Sequence, residues 1–512
     1  MLLTAVDTSS FSVALPDEHA TARLAVDIAT ALEPGDLVTL SGDLGAGKTT
    51  FARALIRYLA NDPTIEVPSP TFTLMQTYSL PQFPLVHADL FRLSGSAELA
   101  ELGFDDLPEG AVVLVEWPDR AAGFLRPDRI DVALTLAPKL KLEFRHARVT
   151  GYGTMGPRVE RTAAVRQFIS QIGYSGALRT RLKGDASTRI YERLAIGEKH
   201  AILMNSPRRS DGPPVRDGKP YNAIAHLADN VMPFVAMANG LRQHGFSSPE
   251  IYHADLDQGL LIIEDLGDET VVSGEPPAPI RERYEIAVDA LLALHALRLP
   301  DVLPVAPHLE HRIPSYDMNA FLIEAELLLD WFLPRLNATM PEGERDSFRA
   351  LWRELLAPAI DAPATWVLRD FHSPNMLWLD HRKEIARLGL LDFQDAVMGP
   401  PAYDVASLLQ DARVDIPEQF ELALLGRYVR GRRQFEPDFD PASFIKIYVT
   451  LAAQRASKIL GIFARLDARD GKPQYLRHMP RVWTYLQRSL AHPVLGPLNS
   501  WYADHVPSVT AL

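Results

Sequence analysis

The stretch LVTLSGDLGAGKTTFARAL, residues 37–55, constrains the fold more than any other. Gly42, Gly47, Lys48 and Thr49 fit G-x-x-x-x-G-K-[ST], with Gly45 and Ala46 inside the loop and Thr50 just after it. An apolar run, Leu37, Val38 and Leu40, precedes the loop and reads as a buried strand. Phe51, Ala54, Leu55, Tyr58 and Leu59 follow at the spacing of one helix face. A strand, a glycine loop and a helix in this order make a phosphate cradle. The glycines let backbone N–H groups turn inward, the helix N-terminus adds partial positive charge, and Lys48 adds a full one. Thr49 is placed to hold Mg²⁺ through its hydroxyl.

The chain has 512 residues, more than one ordinary core accommodates, so two or three domains are expected. It contains no cysteine, which excludes a disulfide framework, a thiolate zinc site and a cysteine nucleophile. Its N-terminus lacks the basic and long apolar regions of a signal peptide, and no apolar run approaches the ~18–20 residues that span a bilayer. A cytoplasmic protein without membrane contact is expected. The net charge is -13, and about 20 acidic against about 12 basic residues precede Gly156. An acidic surface disfavours direct binding to a phosphate backbone, so any RNA would be held by a partner.

Residues 16–32 have helical spacing, with Ala20, Leu24, Ile28 and Leu32 on one face. VPSPTFTLMQTY, residues 67–78, reads equally as a γ-phosphate sensor and as a connecting turn. Asp89 and Glu116 each stand at the end of an apolar run, where a P-loop enzyme needs an acid near its metal. GDLGAGKTTFARALI, VPSPTFTLMQTY, HADLFRL, ELGFDDL and VEWPDR together resemble, in order and spacing, the bacterial ATPase of tRNA threonylcarbamoyladenosine synthesis. The resemblance covers roughly residues 11–150. It implies an α/β P-loop NTPase domain that hydrolyses ATP to drive a partner complex acting on adenosine 37 of tRNA. It also implies Thr49 and Glu116 as Mg²⁺ ligands, Asp89 as the acid of hydrolysis, and Trp117 and Thr21 near the nucleotide.

HARVTGYGTMGPRVER, residues 146–161, has three glycines, a proline and no apolar period, and reads as a linker over 151–160. A second domain is expected over 161–512. It contains VLRDFHSPNMLWLD followed by LGLLDFQDAVMGPPAYDVASLL. Asp370 and Asn375 have the spacing of H-R-D-x-x-x-x-N, and Asp392 begins a D-F-Q seventeen residues after Asn375. In such sites the first Asp reaches the acceptor hydroxyl while the Asn and second Asp converge on Mg²⁺ at the ATP phosphates. The segment between them reads as a hairpin, and Asp404 follows downstream.

RLKGDASTRIYERL, residues 181–194, resembles the nucleotide loop of aminoglycoside-phosphotransferase-like kinases, with Ser187 and Arg189 as nucleotide contacts. LLIIEDLGD, residues 260–268, resembles their hinge, with Glu264 and Leu266 against adenine. Met204 stands where the strand lysine of V-A-I-K would lie. Lys183, Arg189 or Arg208 then supplies the cation for the phosphates, or the domain is inactive.

With ILMNSP and QRASKILGIFARLDARDGK, these blocks resemble the bacterial N-acetylmuramate/N-acetylglucosamine anomeric kinases over about residues 161–490. The resemblance implies an α+β bilobal protein-kinase-like domain, with an N-lobe to about 268 and a C-lobe beyond it. It also implies transfer of the ATP γ-phosphate to the anomeric hydroxyl of an amino sugar. Arg455 and Lys458 are candidates for the muramate carboxylate, although helix-surface charges are the plainer reading. Asp317, Glu324 and Glu326 read as solvated faces rather than sugar ligands. His372 reads as loop-structuring, and Trp331, Trp352, Trp366 and Trp378 as core. The competing readings are a kinase for an aminoglycoside, choline-like or homoserine-like acceptor, and a regulatory pseudokinase.

Overall fold

The computed structural model describes residues 8–93, 98, 104, 106–121, 125–137, 143–182 and 189–507. Most of ELGFDDL, together with Lys183 and Ser187, lies outside the described residues. Two compact units are present: Met1–Gly184 with Ile190–Asn205, and Asp185–Arg189 with Ser206–Leu512.

In the first unit, β1 (Thr8–Leu15), α1 (Glu18–Ala29), β2 (Leu37–Ser41), α2 (Lys48–Ala60), β3 (Met75–Ser79), β4 (Pro84–Asp89), β5 (Val112–Glu116), β6 (Arg129–Leu136) and β7 (Arg145–Tyr152) follow in sequence. Their sheet has the order β1-β7-β6-β2-β5-β4-β3. β2 pairs in parallel with β5 and β6, and β4 pairs in parallel with β5. The central strands are buried on both faces, as their unbroken apolar runs require. Val38, Leu40, Val112 and Leu114 pack with α1 and α2, whereas Leu37, Val113 and Val115 pack into a second core on the opposite face. Asp17 caps α1, accepting a hydrogen bond from the Ala20 N–H at 2.7 Å.

The expected linker is not one. Residues 151–160 comprise the end of β7, a 3₁₀ turn over Gly153–Met155, and the start of helix α3 (Gly156–Gln171). A side chain at Gly151 would put its Cβ 2.6 Å from the Met155 carbonyl oxygen, so this glycine serves close packing. From α3, both Nη atoms of Arg158 grip the Asp36 carboxylate at 2.7 Å. Strands β8 (Leu178–Arg181), β9 (Ile190–Ile196) and β10 (Lys199–Asn205) form an antiparallel array within the same compact unit.

A buried polar cluster unites these parts. Asp27 of α1 accepts hydrogen bonds from Arg166 of α3 and Arg179 of β8. Arg179 also donates to Glu192 of β9 at 2.6 Å, and the Tyr58 hydroxyl of α2 donates to Glu192 at 2.6 Å. Asp27, Arg179 and Glu192 side chains are each at most 6% exposed.

The second unit contains the hairpin β11 (Ile251–Asp255) and β12 (Leu260–Ile263), then a largely helical body. Two short antiparallel pairs carry the loops of interest: β13 (Thr365–Val367) with β16 (Val397–Gly399), and β14 (Met376–Trp378) with β15 (Leu388–Leu390). The second pair is the expected hairpin. Helices α4 (Ala402–Leu409) and α5 (Pro441–Ala468) pack against each other beside these loops. No helix among the described residues is long and apolar enough to cross a membrane.

Candidate functional site

The P-loop joins β2 to α2 as the sequence predicts. Gly42, Gly45 and Gly47 have positive φ, and a Cβ at Gly42 would come within 2.2 Å of the Leu134 carbonyl oxygen. Lys48 donates to the carbonyls of Gly42 at 2.7 Å and Asp43 at 2.9 Å, and its Nζ sits 3.7 Å from the centre of the Trp117 ring. Burial lowers the Lys48 pKa against the opposing pull of Glu116, Asp89 and Asp43. A bound phosphate would restore what burial removes.

The Thr49 hydroxyl donates to Glu116 at 3.2 Å, bringing two hard oxygen ligands together in the way Mg²⁺ requires. Glu116 ends β5 directly beside β2, and Asp89 ends β4, one strand further out. Asp89 accepts from the hydroxyls of Ser69 at 3.1 Å and Thr71 at 2.7 Å, which ties the proline-bracketed loop to this acid. Thr21 lies beside Gly47, Ala46 is buried, and Thr50 continues the first turn of α2.

Two neighbours escaped sequence reading. His87 Nε2 lies 3.0 Å from the second oxygen of Glu116, and Arg145 reaches back from β7 to the Gly45 carbonyl at 3.3 Å. His87 stood in the HADLFRL block, two residues before Asp89 on β4. Arg145 had no local signal, since 100 residues separate it from Gly45.

In the second unit, Arg189, Asp370, Asn375 and Asp392 line one cleft of about 760 Å³. The loop after β13 is held from beneath. Buried Asp404 accepts the N–H groups of Leu368 at 2.6 Å and Arg369 at 2.9 Å, and Asp411 accepts the N–H and hydroxyl of Ser373. Burial works against ionisation of Asp370, but the adjacent His372, with Lys458 and Arg369 beyond, outweighs it and holds the carboxyl below the usual range. Asp392 is pushed up by burial and then by Asp370. Two crowded carboxylates of this kind favour a bound cation. The Asn375 side-chain amide donates to the Asp370 carbonyl at 3.0 Å, leaving its own oxygen as a ligand atom. Among the described residues no group of three or more His, Asp or Glu forms an all-protein metal cage.

Met204 is buried, and of the described candidate cations Arg189 is the one found at the cleft. Arg189 Nη1 donates to Asp392 at 3.1 Å and its side chain is 6% exposed. Arg208 is instead exposed and paired with Asp229. Glu264 is gripped through its side chain by Arg242 and Arg382, so any adenine contact at this stretch falls to the backbone. Neither Glu264 nor Leu266 lines the cleft.

Several charges expected on surfaces are buried. Glu324 bonds Arg369 and Lys458, the latter at 2.8 Å, and Glu326 bonds Arg216 and Arg349. Arg455 is also buried and donates to the Gln410 carbonyl at 3.3 Å. Partners for these charges lie up to 134 residues away, which sequence spacing could not reveal. Asp317 caps the helix Met318–Ala325 and pairs with His226. His372 is buried against Asp370, at 3.6 Å. Trp352, Trp366 and Trp378 are core residues, whereas Trp331 lines the cleft.

Residues 15–143 match the family model for the threonylcarbamoyl adenosine biosynthesis protein TsaE, and residues 179–442 match that for the phosphotransferase enzyme family. Over 364 residues the chain is 37% identical to an N-acetylmuramate/N-acetylglucosamine kinase of Caulobacter vibrioides, covering 69% of this chain and 98% of the relative. A kinase of the same name from Pseudomonas aeruginosa is 33% identical, with coverages of 62% and 86%. The tRNA threonylcarbamoyladenosine biosynthesis protein TsaE of Rickettsia conorii is 43% identical over 120 residues, 23% of this chain and 68% of the relative.

Proposed function

We propose, for a chain that belongs to the phosphotransferase enzyme family over residues 179–442 and to the TsaE family over residues 15–143, two ATP-dependent activities in one polypeptide. Residues 1–150 form an ATPase that supports threonylcarbamoylation of adenosine 37 in tRNA, acting with the other protein components of that complex and meeting tRNA through them. Residues 161–512 form a kinase that phosphorylates the anomeric hydroxyl of N-acetylmuramate or N-acetylglucosamine. Both activities consume ATP with Mg²⁺, and we assign them to the cytoplasm.

The observation that carries the kinase reading is the meeting of Asp370, Asn375, Asp392 and Arg189 in one cleft. Asp370, held ionised by His372, accepts a hydrogen bond from the acceptor hydroxyl, orients its attack and takes its proton. Asn375 and Asp392 would hold the metal, and Arg189 would take the place of the strand lysine beside the phosphates. Magnesium, when bound, neutralises phosphate charge. In the ATPase, Lys48 and the inward backbone amides would cradle the phosphates, and Thr49 and Glu116 would hold the metal. Asp89, oriented by Ser69 and Thr71, positions the attacking water.

The test is incubation with γ-labelled ATP, Mg²⁺ and a panel comprising both amino sugars, choline, homoserine and an aminoglycoside. Label on the amino sugars alone is expected. Label on another acceptor would redirect the assignment, and label on none, with ATP bound at the cleft, would leave a regulatory domain.

A further inference from the structure

Helix α5 presents Arg455, Ile459, Ile462, Phe463 and Arg465 to the cleft that holds Asp370, and Arg469, just past its end, joins them. The two cations that the sequence offered for an acidic substituent are already engaged. Lys458 is neutralised by Glu324, and Arg455 donates to a backbone carbonyl. Arg465 differs. Its guanidinium lies 5.2 Å from the centre of the Tyr221 ring, its Nε is buried without a hydrogen-bond partner, and no carboxylate among the described residues is within ion-pair distance.

Acidic neighbours in the cleft are otherwise occupied. Asp470 pairs with Arg469 at 2.7 Å, and Asp330 pairs with Arg345 at 2.5 Å. Burial, with the like charge of Arg469, depresses the Arg465 pKa against the opposing effects of Tyr221 and Asp470. A planar guanidinium backed by an aromatic face, with an unused donor, is suited to a carboxylate.

We propose that Arg465 is the residue that recognises the acidic substituent of the acceptor sugar, so that this kinase favours a carboxylate-bearing amino sugar over its neutral counterpart. The inference rests on the amino-sugar reading above. N-acetylmuramate carries a lactyl ether carboxylate on the ring carbon two removed from the anomeric one, and N-acetylglucosamine has a hydroxyl there. With the anomeric hydroxyl at Asp370, the carboxylate would extend along the same cleft towards α5, where Tyr221 and Arg465 form a binding wall.

The test compares kcat/KM for the two sugars in the full chain, in Arg465→Met and in Arg465→Lys. Removing the guanidinium is expected to lower the ratio of N-acetylmuramate to N-acetylglucosamine on the order of 10- to 100-fold, mainly through KM. Lysine, a point charge without the planar fork, is expected to restore part of that ratio. The neutral sugar serves as the internal control for folding. An unchanged ratio, or a parallel loss with both sugars in both variants, overturns the role of Arg465. If the unaltered protein phosphorylates neither sugar, the amino-sugar reading fails first and the inference falls with it.

Discussion

The P-loop would meet a phosphate with backbone, whereas the cleft of the second unit would meet one with side chains. In the first, three positive-φ glycines and one lysine make the anion site within a single turn of chain, Gly42–Thr49. In the second, Asp370, Asn375 and Asp392 come from two loops, and the cation facing them, Arg189, comes from a third segment. A backbone cradle tolerates change at most side chains but not in its glycines. A side-chain cleft leaves its cation free to come from elsewhere, and here the strand carries Met204 while the cation bonded to Asp392 is Arg189.

The largest test of this contrast is reciprocal. Asp370→Asn is expected to reduce sugar phosphorylation on the order of 10³-fold while sparing ATP hydrolysis at the P-loop, and Lys48→Ala to do the reverse. Parallel loss of both activities in either variant would show that the centres are not independent. Next in size, Arg189→Met should raise the KM for ATP in sugar phosphorylation about 10- to 100-fold, as removal of a charge-assisted contact does. An unaltered KM would return the cation role to another residue. A smaller effect is expected at the first centre: His87→Gln should raise the Mg²⁺ needed for half-maximal ATP hydrolysis about tenfold, because it frees Glu116 from its second-sphere contact. Sugar phosphorylation should keep its Mg²⁺ dependence.

A further test concerns stability rather than activity. His295, buried in the second unit and 2.7 Å from the Tyr428 hydroxyl, has its pKa lowered from 6.5 to about 3, first by burial and then by Arg432. The unfolded chain therefore takes up this proton first, and stability falls as pH drops from 6.5 towards 3. The loss is about 1.4 kcal/mol for each pH unit inside that window. Replacing His295 by Gln should flatten that part of the unfolding curve, measured by denaturant titration at successive pH values.

Legibility in the sequence followed the same contrast. The P-loop could be read because its parts are contiguous, and the catalytic pair because Asp370 and Asn375 share one loop. Arg189 was readable only as one of three candidates. Glu324 and Lys458 were misjudged because a charge with no local partner resembles a surface charge, and their partnership closes only through packing of α5. The segment around Gly151 and Gly153 was mistaken for a linker because glycine marks close approach and tight turning as readily as flexibility.

The cluster of Asp27, Arg179, Glu192 and Tyr58 carries a consequence for ancestry. Tyr58 lies in the last turn of the helix that begins at Lys48, and Arg179 and Glu192 belong to the stretch matched by the phosphotransferase family. Separating such partners strands buried charge, a loss of about 3–5 kcal/mol for each broken pair. A lineage that later divided this polypeptide between residues 150 and 178 would therefore need compensating substitutions on both products at once. The join is therefore costly to undo, because Asp27 and Glu192 are buried acceptors of the same arginine.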